Sequence, residues 1–463
     1  MSSFAHLKMN KGPKIARSEY RARIDEFWSK MRDSSVAIVV ANPERTRSND
    51  TEHAYRQSSD LLYLTGFPEA EAAVVITKLS GKYKKRVIMF VRPKDRAREI
   101  WTGIRCGVEG AKKNFGAHEA YGVDAFQSQI GGLVGRAENV YHHIGLNEEF
   151  DESFKKVWQT GEHGGQKPLF DTLDILHDMR ACKSAREQNV LRHSGEISAR
   201  AHCEAMKATR PGMSERQLQA VLEGAFMYMG ASGVAYGSIV GGGNNAVVLH
   251  YTENNATLKD GDLVLVDAAA EFAGYASDIT RTWPVNGKFT EAQREIYELV
   301  LKSQVAGIKS IRAGNAWGNT HKVASRVLRA GLIELGILPG DLTEKKEREI
   351  WKQKAADARA GKKPAEGDAK PLMLNDFFMH GVGHHMGLDV HDPCDREDLK
   401  VGMVLTVEPG LYFDKNDTRV PEKYRGIGVR IEDDVIVTED GCEVITASVP
   451  KSVADIEKLM SGN

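Results

Sequence analysis

Four carboxylates and one imidazole, Asp267, Asp278, His384, Glu408 and Glu432, have the residue types of a two-metal hydrolytic site. They stand in the segments VLVDAAAEFAGYASDITRTWPV, HGVGHHMGLDVHD, VLTVEPGLY and GIGVRIEDDVIV. A shell made mostly of oxygen suits Mn²⁺ and similar hard ions better than a structural zinc. Two ions that share carboxylates can hold a hydroxide at neutral pH for attack on a carbonyl.

Each acid has a plainer alternative. Asp267 ends the apolar run LVLV, where an unpartnered acid is costly, so a ligand role is favoured over a solvated one. A turn at Ala273-Gly274 with an even loop would put Asp267 and Asp278 on one sheet face, as direct or diagonal cross-strand neighbours. Glu408 ends VLTV before Pro409-Gly410 in the same way. Glu432 lies two positions beyond Arg430 on the same strand face, so a structural ion pair is an equal reading of it. His380, His384, His385 and His391 crowd one segment with Gly381, Gly383 and Gly387. The glycines argue against a helical i,i+4 zinc pair and for close backbone approach to a ligand. His250 in VVLHYTEN is either a functional residue or the capped end of an apolar strand.

These residues need elements to hold them. SSVAIVV, AAVVITK and RVIMFVR read as β-branched strands separated by turn-forming or helical segments, the pattern of an α/β domain. GEHGGQKP and the stretch to about Arg186 look like the crossing into a second domain. A helix with apolar spacing near 3.6 then runs to the stop at Arg210-Pro211-Gly212. Helical blocks to about Met229 and over 290–337 frame the sheet segments. DLVLVD ending at Asp267 and MVLTVE ending at Glu408 look like distant copies, each followed by a second acid-bearing strand. An internal pseudo-repeat would explain why the acids come in pairs. The charged run 341–372 reads as a solvated helix followed by a flexible loop. The tail before about Glu19 is expected to be disordered.

Bulk properties narrow the classes. At 463 residues two domains are expected, divided as 1–175 and 176–463. A net charge of −1 gives no general attraction to nucleic acid or acidic membranes. No apolar stretch has the length of a membrane span, and MSSFAHLKMNKGPKIARSEY has no signal-peptide core, so a cytoplasmic protein is expected. Cys106, Cys182, Cys203, Cys394 and Cys442 form no C-x-x-C pair and read as reduced, buried thiols. Zincin, Walker, dinucleotide and G-x-S-x-G motifs are absent from the sequence.

The segments YRQSSDLLYLTGFPEAEA, LHYTEN, DGDLVLVDAA, YASDITRTWPVNGKF, FFMHGVGHHMGLDVHD, GMVLTVEPGLY and PEKYRGIGVRIEDD, in this order, carry a resemblance. The chain resembles the proline-specific pita-bread metallopeptidases, and within them aminopeptidase P of the bacterial type. The resemblance implies an N-terminal α/β domain and a C-terminal pita-bread domain of two pseudo-symmetric halves. It implies that Asp267, Asp278, His384, Glu408 and Glu432 hold two divalent ions, Mn²⁺ before Co²⁺ or Zn²⁺. Asp278 and Glu432 would bridge, and His384 is the ligand rather than His385. His250, His380, His391, Arg430 and Tyr412 would surround the substrate, and Trp101 would reach a neighbouring subunit's site in a dimer or tetramer. The implied reaction is removal of the residue before a second-position proline, by attack of a metal-bridging hydroxide on the Xaa-Pro amide. In it Glu408 moves the proton, His391 stabilises the oxyanion, and His250 and His380 position the backbone. A Xaa-Pro dipeptidase shares the ligand set and is the nearest alternative. A non-catalytic peptide-binding pita-bread module would have lost the ligands. The run 341–372 is longer than the bacterial type leads one to expect.

Overall fold

The computed structural model describes residues 4–7, 11–160, 167–360 and 372–462. The chain separates into two compact units, Lys14–Ala181 and a unit formed by Met1–Pro13 with Cys182–Asn463.

In the first unit the three expected strands are Ser35–Val40, Ala73–Lys78 and Arg86–Val91. They lie within a six-stranded sheet whose order is Glu119–Gly122, Arg86–Val91, Ala73–Lys78, Ser35–Val40, Asn139–His142, Leu169–Phe170. Ser35–Val40 runs antiparallel to Ala73–Lys78 and parallel to Asn139–His142. Its unbroken β-branched run has no polar alternation because every residue in it is buried. The helices Phe126–Arg136 and Glu148–Thr160 cover the sheet with Phe126, Ile130, Leu133, Phe150 and Phe154. The Gly-rich turn expected within 161–166 lies outside the described residues.

The second unit has the anticipated two related halves. In the first, helices Ala185–Ala208 and Glu215–Tyr228 precede the antiparallel pair Leu263–Asp267 and Thr280–Pro284. In the second, helices Glu291–Lys309 and Trp317–Glu334 precede the pair Val404–Val407 and Asp433–Val437. Three of these helices open on a reciprocal capping box, Ser184 with Glu187, Ser214 with Gln217 and Thr290 with Gln293. Each such S/T-x-x-E/Q signature satisfies two orphan backbone donors.

Three expectations are corrected here. Residues 4–7 are not disordered. Phe4–His6 forms a 3₁₀ turn, Phe4 lies beside the Tyr228 ring at 5.9 Å, and Leu7 is buried, because both apolar side chains find cover. VVLHYTEN is not a strand: the strand stops at Gly242, a 3₁₀ turn spans Gly243–Val247, and His250 sits in the turn beyond. A Cβ on Gly241 would come within 2.9 Å of the Asn245 backbone, so the chain folds back on itself where a strand would run straight. The five cysteines are unpaired as expected, yet half-buried rather than buried. The run 341–372 begins as the helix Glu344–Arg359, and the loop expected at 361–371 lies outside the described residues. Among the described residues no helix is long and apolar enough to cross a membrane.

His202, fully buried in the helix Ala185–Ala208, yields a test of this core. Its Nε2–H donates to the Ala268 carbonyl at 2.8 Å, while its Nδ1 has no partner. Burial lowers its pKa from 6.5 to about 4. The unfolded chain therefore binds a proton between pH 6.5 and about 4 that the folded chain refuses. Stability is retained above that window and falls as pH drops through it. The expected loss on going from pH 7 to pH 5 is about 2 kcal/mol, read from urea unfolding at the two pH values. His202→Gln should flatten the dependence, and an unchanged pH slope in this variant would remove His202 as its source.

Candidate metal centre and substrate cavity

The acids are placed by strand ends. Asp267 is the last residue of its strand and pairs with Thr280, so Asp278 lies two residues before its partner. The expected turn at Ala273-Gly274 is present, with both residues at positive φ. It closes a separate small hairpin, Ala270–Phe272 with Tyr275–Ala276, which leaves Asp278 in the link between two strand pairs rather than within a strand. Glu408 follows the strand Val404–Val407, and Glu432 precedes Asp433, the register partner of Val407. Glu432 N donates to Thr280 O at 3.0 Å, which joins the acid-bearing ends of the two halves.

The histidine segment is non-helical, as its glycines imply. A Cβ on Gly383 would lie 2.1 Å from Thr406 O, so only glycine lets this backbone run against the strand leading to Glu408. His384 is fixed there by Thr406 N–H donating to His384 O at 2.9 Å and His384 N–H to Thr406 Oγ1 at 3.1 Å. Its Nδ1–H faces the His385 carbonyl at 3.1 Å. Nε2 then points to Asp278 Oδ2 at 3.4 Å and Glu408 Oε1 at 3.7 Å. With Nδ1–H so engaged, Nε2 is the nitrogen aimed at the acids, the arrangement a metal-binding histidine needs. His385 faces away, buried near Lys183 and Asp392; burial, then Lys183, lowers its pKa to about 4 against the pull of Asp392.

The charge balance of the cluster fits a bound cation. Asp278, His384 and Glu432 bring ligand atoms within 4.8 Å of one another. Burial, then repulsion by Asp267, raises the Asp278 pKa. Glu432 is pushed well above its ordinary value by burial and by Asp278, Glu408 and Asp267. Glu408 is raised to about 7 by burial, although His384 and Arg430 oppose the shift. Burial disfavours the His384 cation, yet Asp278 and Glu408 outweigh it and hold the pKa at about 9. Four carboxylates thus share one guanidinium, and the imidazole is driven to supply a proton where a divalent ion would supply charge. Tyr236 repeats the pattern. Its single phenolic proton faces both Asp267 Oδ1 at 2.6 Å and Asp278 Oδ1 at 2.5 Å, and cannot satisfy two carboxylates at once.

The four acids and the imidazole line a cavity of about 460 Å³ together with Tyr236, His250, His380, His391 and Arg430. The His391 ring lies tilted against that of His384, with centroids 4.1 Å apart and planes at 60°. Arg430 is buried and committed to Asp267 Oδ2 at 2.6 Å, to Tyr412 Oη at 3.1 Å and to Thr280 Oγ1 at 3.1 Å. Tyr412 does not line the cavity; it stands behind His380, with Oη 2.8 Å from His380 Nε2. Because His380 Nδ1–H donates to Gly381 O at 2.7 Å, Nε2 accepts the Tyr412 proton. Burial and Arg430 lower the His380 pKa to about 4, so the ring is neutral. Trp101 belongs to the other unit, in the helix Arg96–Thr102, and is 86% exposed.

Several site residues have no signal in the sequence. Tyr236 stands in GVAYGSIV without a motif around it. Asp434 Oδ2 accepts from Ser277 Oγ at 2.9 Å and Asp278 N at 3.0 Å. Thr280 Oγ1 donates to Glu432 Oε2 at 2.7 Å. Lys183 and Asp392, both buried, pair at 3.0 Å, and Asp392 N–H donates to His385 O at 2.8 Å, which fixes the loop that carries His384 and His391.

Comparison with known proteins agrees with this geometry. Residues 189–439 match the model of metallopeptidase family M24, and residues 20–141 match the aminopeptidase P N-terminal domain. The chain is 42% identical to the Xaa-Pro aminopeptidase of Escherichia coli over 96% of its own length and 98% of that protein. The structure of proline aminopeptidase P II from Yersinia pestis superposes with a TM-score of 0.88 at 42% identity, covering 97% of this chain and 100% of that one. Aminopeptidase P from E. coli with the inhibitor Pro-Leu gives 0.88 at 41% identity, covering 97% and 99%. Family model, relatives and solved structures thus coincide over the α/β unit and the two-halved unit alike, and the chain belongs to metallopeptidase family M24, with an aminopeptidase P N-terminal domain.

Proposed function

We propose that this enzyme is a metal-dependent Xaa-Pro aminopeptidase, removing the first residue from peptides with proline in second position. The observation that carries the reading is the cavity in which four carboxylates and His384 face His250, His380 and His391. Asp267, Asp278, His384, Glu408 and Glu432 would hold two divalent ions, Mn²⁺ by the oxygen-rich donor set, with Asp278 and Glu432 shared. When bound, such ions polarise a carbonyl and acidify water.

The residues of the chain do the rest. Glu408 takes the proton of the attacking water and delivers it to the proline nitrogen. That delivery is needed because the nitrogen must leave as an amine and not as its anion; from a proline amide, which has no N–H, the leaving group is a secondary amine. His391, held neutral by burial first, donates to the developing oxyanion. His250 and His380 align the peptide on either side of the bond, and Trp101 reaches the site of a neighbouring subunit in a dimer or tetramer. The membrane and nucleic-acid classes have no support in the near-neutral charge, and a cytoplasmic enzyme fits that balance.

The purified protein is expected to release Xaa from a Xaa-Pro-Xaa tripeptide, to leave the Xaa-Ala-Xaa analogue intact, and to lose activity after chelation until Mn²⁺ is restored. Cleavage of Gly-Pro with no cleavage of the tripeptide would replace this reading by the dipeptidase.

A further inference from the structure

The helix Glu344–Arg359 was expected to be a solvated decoration. One of its residues is not solvated. Glu347 is 13% exposed, and its partner Arg329, on the helix Trp317–Glu334, is 12% exposed. Arg329 Nε donates to Glu347 Oε2 at 2.9 Å, with Nη2 on the same oxygen. The other oxygen, Oε1, accepts the Leu374 backbone N–H at 2.7 Å. Leu374 opens the turn Leu374–Asp376, and at His380, six residues after Leu374, the chain reaches the cavity. Phe377 O accepts from Tyr412 N at 3.1 Å. The Phe378 ring stacks on His321 at 5.5 Å and sets its edge against His380 at 4.8 Å. Two anchored neighbours, Phe378 and Tyr412, therefore fix the position of His380.

We propose that Glu347 is a positioning residue for substrate binding, acting from the added helix through Leu374 and Phe378 on the placement of His380. The carboxylate suits the task because it accepts a charge-assisted fork on one oxygen and a backbone donor on the other. Without it the Leu374 N–H and a mostly buried guanidinium lose their acceptor together. The turn ahead of Phe378 then relaxes, and small displacements of positioning groups cost binding or rate steeply. The inference rests on the reading of His380 as a substrate-side histidine.

The test is steady-state kinetics of the full-length, Mn²⁺-loaded enzyme on a Xaa-Pro-Xaa tripeptide. Glu347→Ala is expected to raise KM roughly tenfold with kcat within about twofold, the pattern of lost uniform binding. A merely structural role would lower the active fraction, and so the apparent kcat, at unchanged KM. Glu347→Gln, whose carbonyl can still accept from Leu374, should restore most of the KM, whereas Lys345→Ala on the exposed face of the same helix should change nothing. If Glu347→Ala fails to fold, the double variant Glu347→Leu/Arg329→Met, which removes the buried pair together, carries the same expectation. An unchanged KM in the folded variant overturns the proposal, provided His380→Ala raises KM. An unchanged KM in His380→Ala overturns instead the substrate role of His380 on which it rests.

Discussion

Glu408→Gln is expected to lower kcat on a Xaa-Pro peptide by roughly 10²- to 10⁴-fold, the usual contribution of a positioned general acid–base. The substitution keeps the size and one carbonyl oxygen of a side chain that closes the strand Val404–Val407, so packing is preserved. What it removes is the carboxylate that can accept a proton from water and return it to the leaving nitrogen. Burial raises the Glu408 pKa to about 7 against the pull of His384 and Arg430. His380 and His384 lie on opposite sides, each 3.7 Å from one of its carboxylate oxygens. Neither can replace it: His380 is neutral with both nitrogens engaged, and His384 Nε2 is turned to Asp278. Metal content measured alongside turnover separates the two jobs of Glu408. Full turnover at full metal occupancy would remove it from proton transfer; lost turnover with retained metal assigns it there.

How far this site was readable in the sequence depended on the range of the interactions that build it. Asp267 was legible because an acid at the end of LVLV has no local escape from burial, and the turn at Ala273-Gly274 because Gly274 takes positive φ without steric cost, although Ala273 also sits at positive φ, where alanine is unusual. The non-helical course of HGVGHH followed from its glycines, and Gly383 lies against Thr406 as such a reading requires. The pseudo-repeat was legible as paired acids, and it appears as two helix pairs each followed by an acid-bearing strand pair. Tyr236 and the Lys183–Asp392 pair were not legible. Tyr236 meets Asp278 across 42 positions and Lys183 meets Asp392 across 209, and no local pattern marks either contact. His250 was misplaced on a strand because apolar VVL suggests one, whereas the close approach of Gly241 to Asn245 turns the chain first. The helix after residue 343 was readable from its charges, but the burial of Glu347 among them was not.

Asp433→Asn is expected to destabilise the two-halved unit by about 3–5 kcal/mol, the cost of breaking a buried ion pair on one side. Arg281 and Asp433 are both wholly inaccessible and meet at 2.7 Å. Arg281 lies in the first-half strand Thr280–Pro284 and Asp433 opens the second-half strand Asp433–Val437, so the pair spans the pseudo-symmetric halves. Asp433 is saturated: Oδ1 accepts from Arg281 Nη2 and Thr446 Oγ1, and Oδ2 from Gln304 Nε2 and Lys451 Nζ. Burial alone would raise its pKa, but Arg281 and Lys451 outweigh burial and keep it ionised. An asparagine amide would turn an N–H₂ toward two of these donors and leave Arg281 and Lys451 with only the neutral acceptors Val449 O and Gln304 Oε1. The measurement is the urea midpoint at unchanged m, which reports stability rather than compactness. A loss below about 1 kcal/mol would show that water or a neighbour takes over the charge. Replacing both partners, Arg281→Met with Asp433→Leu, should recover much of the loss, since the two inaccessible charges leave together and Lys451, 26% exposed, can turn to water. The site should still feel the change. Arg281 Nη1 also donates to the Glu432 carbonyl, and Glu432 N–H donates to Thr280 O at 3.0 Å. The doubly apolar variant should therefore regain stability while binding Mn²⁺ more weakly than the parent, because the bolt that joins the halves also sets the backbone of the acid between them.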